Sequence, residues 1–255
     1  MFSRITAGLF IAFTFSACFK APFTHVADAK LNRIDTTYHG VDADIEELIN
    51  PYREGIEAEM NEVIGYSTQE YVKSRPESAL GNIAADMLFS YTKNVLNEQV
   101  DLAVLNFGGL RAPLPRGPIS KGKVYELMPF DNSVTILELN PEQLNQLAQH
   151  IISKGGEPIG GEGTVALGNF PEGARFYFSN FNASQKKVYR VVTSNYLADG
   201  GDNYYMFVNA IERHDLDVLL RDVFLERIKN TTSESLPLKG QVEGRIEMNP
   251  PMKVK

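Results

Sequence analysis

The chain has 255 residues, 43% hydrophobic and 22% charged, an ordinary globular composition with length for one large or two small domains and a sizeable core. A formal net charge of -7 argues against a polyanion-binding face, because nucleic-acid recognition neutralises phosphates with clustered Lys and Arg, so nucleic acid is not an expected partner. One cysteine excludes an intrachain disulfide framework and cysteine-rich zinc sites.

Residues 1–18 place Arg4 ahead of an apolar run from Leu9 to Phe15, then the small Ser16 and Ala17 before Cys18. The run falls short of the roughly 20 residues a spanning helix wants, so it reads as a signal peptide, with an uncleaved anchor as the other option. A cysteine directly after two small residues resembles the bacterial lipoprotein box, in which the signal is cut before the cysteine and its thiol is acylated; ordinary secretory cleavage is the alternative. That resemblance implies lipidation at Cys18 and a lipid-anchored protein of the cell envelope, periplasmic or in the outer membrane. Residues 19–40 show no clear period and are expected to be a tether, with His25 and His39 lacking neighbours at metal-ligand spacing. A folded domain is expected over 41–255.

From Val41 to Met60, Ile45, Leu48, Ile49, Tyr52 and Ile56 recur at helical spacing behind Asp42 and Asp44. Pro51 either kinks this helix or sits in the first turn of a second one capped by Asn50. Val63–Val72 should be extended. Ser78 to Leu96 carries Leu80, Ile83, Met87, Leu88 and Tyr91 on one face, an amphipathic helix against a core. The apolar run Val100–Leu105 reads as a buried strand, followed by a sharp turn at Gly108 and Gly109 ahead of Arg111. Two glycines let backbone approach a ligand closely, and the arginine offers a fixed fork of donors for a carboxylate or phosphate; periodicity alone favours a plain turn with a solvated arginine. Pro129 and Phe130 then leave an aromatic ring at a loop edge.

Ser133–Leu139 alternates as a strand, and Asn140 caps a helix that begins at Pro141 and runs to about Ile152, with His150 structural. The glycine-rich Gly155–Gly163 lacks the lysine-hydroxyl ending of a P-loop and the preceding strand of a dinucleotide turn, so a flexible lid or insertion is expected. Ala174–Asn180 and Lys187–Ser194 are expected to pair as strands across a polar turn. Leu216–Lys229 is expected to be a helix capped by Asp215, and Val242–Met248 a last strand. His214 and Asp215 are not expected to form a catalytic pair, because neighbours on a helix cap rarely aim at one atom.

Three stretches carry a family resemblance: NFGGLR (106–111), PFDN (129–132) and SNYLADGGDNY (194–204). In this order they resemble the motif set of the C-terminal domain of 5'-nucleotidases, and VEGRIE (242–247) looks like the family's closing motif, so the resemblance runs from about Val63 to Ile246. It implies, with the interleaved strand and helix signals, an α+β fold: a single domain of mixed β-sheets layered with α-helices. It implies that Phe130 and Tyr196 sandwich a nucleobase, that Asp202 accepts from ribose hydroxyls, and that Asn106 and Arg111 orient the phosphate and sugar end, with Asn132 in the same substrate-binding set. Some members carry an arginine directly before the Glu of ESALGNIAADML (77–88). Pro76 stands there in this chain, so Arg75 is either a second anion contact or a surface arginine.

The family's chemistry belongs to a metallophosphatase domain whose Asp-x-His, Gly-Asp-x-x-Asp and Gly-Asn-His-Glu motifs do not occur in these residues. Nor is there an evident Ser-His-Asp or Cys-His substitute, so no catalytic residue, metal ligand or cofactor is assigned to this chain. The implied function is the nucleotide-binding half of a 5'-nucleotidase-type hydrolase in nucleotide catabolism, with divalent metals on a separate metallophosphatase chain. The alternative is a non-catalytic nucleoside- or nucleotide-binding lipoprotein of the cell envelope; a remnant domain serving as an interaction surface is a third.

Overall fold

The computed structural model describes residues 42–161, 165–170, 173–178, 186–233 and 236–248. Cys18, the expected signal peptide and the tether with His25 and His39 lie outside them. The chain divides into two compact units, Met1–Leu48 and Ile49–Lys255. The described part of the first is the opening of helix α1 (Ala43–Met60), where Asp42 Oδ1 accepts from the backbone N–H groups of Asp44 and Ile45 at 3.1 and 3.3 Å. α1 continues through Pro51 as one helix, and Asn50 caps nothing but accepts from Arg53 at 2.8 Å.

The second unit follows as β1 (Val63–Ser67), α2 (Ala79–Asn94), β2 (Leu102–Val104), β3 (Gly117–Ser120), α3 (Lys121–Leu127), β4 (Ser133–Leu139), α4 (Pro141–Ser153) and β5 (Ile159–Gly161). It continues as β6 (Val165–Phe170), β7 (Gly173–Phe178), β8 (Tyr189–Ser194), α5 (Asn195–Ala198), a 3-10 turn at Gly201–Asn203, α6 (Tyr205–Val208), β9 (Glu212–Leu219), α7 (Leu220–Ser233) and β10 (Ile246–Glu247). Helix starts are written locally. Ser78 Oγ accepts from Gly81 N at 3.0 Å to begin α2, and Asn140 and Gln143 exchange side-chain bonds in a capping box behind Pro141, which has no N–H to strand.

The frame is a five-stranded sheet in the order β5-β2-β8-β4-β9, with β2 parallel to β8 and the other neighbours antiparallel. Both faces are covered. Val134, Ile136 and Val192 point into a core built with Leu80 and Leu88 of α2 and Val223 and Phe224 of α7. Leu137, Leu139 and Val191 point into a second core with Leu144 and Ile151 of α4, Phe176 of β7 and Phe207 of α6. The mixed sheets layered with helices match the expected α+β class. Among the described residues, no helix is long and apolar enough to cross a membrane.

Four local expectations are corrected. β7 and β8 do not pair: β7 joins β6 in a second sheet, β10-β6-β7, while β8 lies between β2 and β4. The reason is burial, since Tyr189 and Val191 to Ser194 are buried on both faces and need a partner strand on each side. The chain from Glu212 to Leu219 is a strand, not a capped helix; Leu216 and Val218 pack on the core while Asp215 and Asp217 are exposed, and Asp215 accepts from Thr135 Oγ1 at 2.7 Å across the ladder. Residues 155–160 are all buried, so the described part of the glycine-rich stretch is no lid. The last strand is limited to Ile246–Glu247, because the backbone N–H groups of Glu243 and Arg245 are taken by the buried Glu77 carboxylate, both at 2.7 Å.

Candidate functional site

The strand ends decide where a site forms. β2 and β8 are parallel neighbours, so the chain leaves both at one edge of the sheet, beside the start of the antiparallel β4. The residues after β2, before β4 and after β8 are Asn106 to Arg111, Phe130 to Asn132, and Tyr196 to Asp202. They enclose a cleft of about 340 Å³ lined by Asn106, Arg111, Phe130, Asn132, Tyr196 and Asp202, with Gly108 and Gly109 of the turn.

The turn after β2 is closed by Gly109 N donating to Asn106 O at 3.0 Å. Asn106 is buried, and its Nδ2 donates to Asp202 Oδ2 at 2.6 Å. A Cβ on Gly108 would stand 3.0 Å from Asn106 Nδ2 and 3.4 Å from Asp202 Oδ2, so the glycine admits this polar pair. The other Asp202 oxygen, Oδ1, accepts from the Tyr196 hydroxyl at 3.2 Å. Partial burial, together with the Asp202 charge, raises the Tyr196 phenol above its ordinary pKa and keeps it a donor. Asp202 has φ 51°, in the left-handed region, and Gly200 before it has φ 87°. Phe130 and Tyr196 are 47% and 44% exposed, each half free to take a ligand. Arg111 is exposed, anchored by its backbone N–H to Leu127 O at 2.8 Å and by Nη1 to Gly108 O at 3.4 Å; among the described residues no carboxylate pairs with it.

Arg75 is not on this cleft. It lines a neighbouring open groove of about 340 Å³ with Lys73, Ser74 and Phe107, and only Gly108 borders both. Its guanidinium donates to Gly156 O and to Glu157 Oε1, the latter at 2.9 Å, and lies 5.1 Å from the Phe107 ring centre. The displaced arginine is thus committed to a buried acid.

Two supporting residues escaped sequence reasoning. Glu157, 2% exposed, sits inside the glycine-rich stretch and accepts from Phe107 N at 2.5 Å; a lone acid flanked by glycine and proline gave no signal of this. Arg221, on the first turn of α7, donates to Met128 O at 3.3 Å and Asp131 Oδ1 at 2.5 Å and lies 4.3 Å over the Tyr125 ring, steadying the Phe130 loop from behind. His150, expected to be structural, also reaches the site: its Nε2 lies 3.1 Å from Asp202 O, and its ring meets Tyr204 edge-on at 4.4 Å. Burial, then the Lys154 charge, lowers the His150 pKa, so at neutral pH it is an uncharged donor to that carbonyl.

Residues 63–179 match the family described as 5'-nucleotidase, C-terminal domain. Over those residues the chain is similar to a 5'-nucleotidase C-terminal domain. It is 29% identical over 219 residues to the trifunctional nucleotide phosphoesterase protein YfkN of Bacillus subtilis, covering 78% of this chain and 15% of that one. It is 24% identical over 221 residues to the 5'-nucleotidase of Homo sapiens, covering 72% of this chain and 38% of that one. Among solved structures, it superposes on a 5'-nucleotidase precursor from Thermus thermophilus with a TM-score of 0.62 at 25% identity, covering 79% of this chain and 42% of that one. The chain therefore spans well under half of each of these relatives.

The cleft offers two rings, an acceptor and a cation, the parts of a binding site. Among the described residues, one set of possible metal ligands, Glu138, Glu212 and His214, has its ligand atoms within 4.8 Å of one another. It lies on the β4–β9 ladder, Glu138 being five residues from Ser133 and so about 16 Å along the strand from the cleft edge. Arg190 Nε stands 3.6 Å from Glu138 Oε1 and His214 Nε2 3.2 Å from Glu212 Oε1, so these groups already contact one another or a cation on the ladder.

Proposed function

We propose that the cleft binds a nucleoside or nucleotide, and that the chain is the nucleotide-binding half of a 5'-nucleotidase-type hydrolase in nucleotide catabolism whose divalent-metal phosphatase half is a separate chain. The observation that carries this reading is the convergence of three stretches far apart in sequence on one cleft. Phe130 and Tyr196 stack on the base; an aromatic side chain contributes about 1–3 kcal/mol per stacked base and tolerates different bases. Asp202 holds the ribose: of the roughly four acceptor positions on a carboxylate, Asn106 and Tyr196 take one each and about two remain for a diol. Arg111, with Asn106, faces the phosphate end, where its fork matches two phosphate oxygens. Asn132 lines the same wall.

Phosphate release then falls to the partner, whose divalent metals would supply the water activation that no cleft residue offers. Acylation of Cys18 holds the pair at the cell envelope.

Calorimetry with AMP and adenosine tests the cleft. Arg111→Ala should weaken AMP by about tenfold to a hundredfold and adenosine hardly at all, since a charged hydrogen bond is worth roughly 1.5–3 kcal/mol; Phe130→Ala should weaken both. Binding of neither ligand by the wild-type chain sinks the reading. Phosphate release from AMP, with and without added divalent metal, tests the division of labour: turnover by the purified chain alone overturns it. A metal-dependent phosphatase recovered with the chain supports it, whereas nucleoside binding with no such partner leaves a non-catalytic binding lipoprotein.

A further inference from the structure

The buried acid beneath the cleft has no role in the reading above. Glu157 uses both carboxylate oxygens: Oε2 accepts from the backbone N–H of Phe107 at 2.5 Å, and Oε1 from the Arg75 guanidinium at 2.9 Å. Phe107 is the residue after Asn106, and its ring is fixed on both sides, by Arg75 at 5.1 Å and by Gly81, where even a Cβ would come within 3.1 Å of the ring. The segment before β5 also pins the strand, with Leu105 N donating to Pro158 O at 3.0 Å. Asn106 is thus held from the residue before and the residue after it. Its Nδ2 in turn meets Asp202 Oδ2 at 2.6 Å, a bond that tolerates little displacement.

From this chain of contacts we infer that Arg75 and Glu157 are positioning residues for sugar recognition: they set the Asn106 turn, and through Asn106 they aim the Asp202 carboxylate. The inference rests on the nucleotide reading of the cleft and adds a source of selectivity to it. A buried carboxylate deprived of its cation is strongly disfavoured, so losing Arg75 unsettles Glu157, and losing either one weakens the hold on the same Phe107 N–H. A glutamine at 157 has one acceptor oxygen where the carboxylate has two, so it cannot hold Phe107 N and Arg75 on separate oxygens. The effect must appear on ligands that carry sugar hydroxyls and be absent from those that do not, because stacking uses the faces of the Phe130 and Tyr196 rings and not the Asp202 carboxylate.

The test is calorimetric titration of the full chain with adenosine and with 2',3'-dideoxyadenosine, for wild type, Glu157→Gln and Arg75→Gln. Each variant should lose about tenfold in affinity for adenosine, the loss expected of a misplaced charge-assisted hydrogen bond. Dideoxyadenosine affinity should stay within about twofold, since neither hydroxyl is there to reach Asp202. Equal losses on both ligands would mean a general loosening of the fold and overturn the inference, as would no loss on either. Arg75 is the more exposed partner, so if Glu157→Gln fails to fold, Arg75→Gln still decides between these outcomes. Failure of the wild-type chain to bind either nucleoside sinks the nucleotide reading itself, an outcome distinct from unselective loss in the variants.

Discussion

Asp202 is a residue under constraint. Its φ of 51° lies where a non-glycine residue is uncommon and costs about 1–3 kcal/mol, and the surroundings hold it there. Asn106 and Tyr196 take one carboxylate oxygen each, and His150 takes the backbone carbonyl. Tyr196→Phe keeps the ring and removes one of these ties. Adenosine affinity should fall about threefold, within the ~0.5–1.5 kcal/mol of a single hydrogen bond, while Tyr196→Ala, which removes the stacking surface, should cost about tenfold or more by calorimetry. Tighter binding by the Phe variant would mean that the hydroxyl competes with the sugar for Asp202. His150 makes a prediction about pH. Its pKa is lowered in the folded chain, so the unfolded chain binds more protons below the ordinary value of 6.5. The stability it contributes is fully present above pH 6.5 and is lost as pH falls through the lower folded value. Urea midpoints should therefore drop for wild type relative to His150→Gln as pH is taken from about 7 to about 5.

At the scale of elements, the described residues 155–160 of the stretch expected from sequence to be a flexible lid or insertion are all buried. Gly156 has φ 99°, and a Cβ there would lie 2.0 Å from Pro76 O, with backbone as the obstacle. Gly156→Ala should destabilise by about 3 kcal/mol or more, lowering Tm by roughly 6–12 °C in a thermal melt. Gly201→Ala sets a Cβ 2.5 Å from the Tyr196 ring and carbonyl, so it should damage ligand binding as well as stability. Glycine count and spacing do not tell a mobile loop from a close approach; that depends on what lies opposite, here Pro76 and Ala85 from other segments. The same distinction runs through the other elements. α4 was legible because Asn140, Pro141 and Gln143 carry its start locally, and β4 because its alternation needs no partner to be seen. β9 was missed although Asp215-Leu216-Asp217-Val218 alternates with period two, since the helical run of α7 follows directly and extends the apparent helix backwards. The pairing of β7 with β6 rather than β8 is a tertiary choice, made by burial of β8 on both faces. In the cleft, the Asn106, Phe130 and Tyr196 stretches were legible as motifs, while Glu157 and Arg221 act from behind, one acid and one arginine among many.

For the whole molecule, topology explains why one edge of the sheet gathers everything. Parallel β2 and β8 release their C-terminal ends together, the position where open sheets with parallel strands tend to bind ligands, and the antiparallel neighbours return their own loops to the same edge. Glu157 precedes β5, Phe130 precedes β4 and Arg221 follows β9, so supports and contacts share one rim. Charge separates that rim from the rest. The chain carries -7, which repels a phosphate dianion at long range, while Arg111 attracts it at contact. Raising salt from about 0.1 to about 1 M shortens the screening length from roughly 10 to roughly 3 Å, weakening both, and the shorter-range term dominates bound-state energy. Wild-type AMP affinity should therefore fall about threefold over that range, with adenosine nearly unchanged, the difference reporting the phosphate alone. In Arg111→Ala only the long-range repulsion remains, so the sign should reverse and AMP should bind better at high salt. If the variant still loses AMP affinity as salt rises, a different cation holds the phosphate, and Lys73, whose groove meets the cleft at Gly108, is an alternative to test.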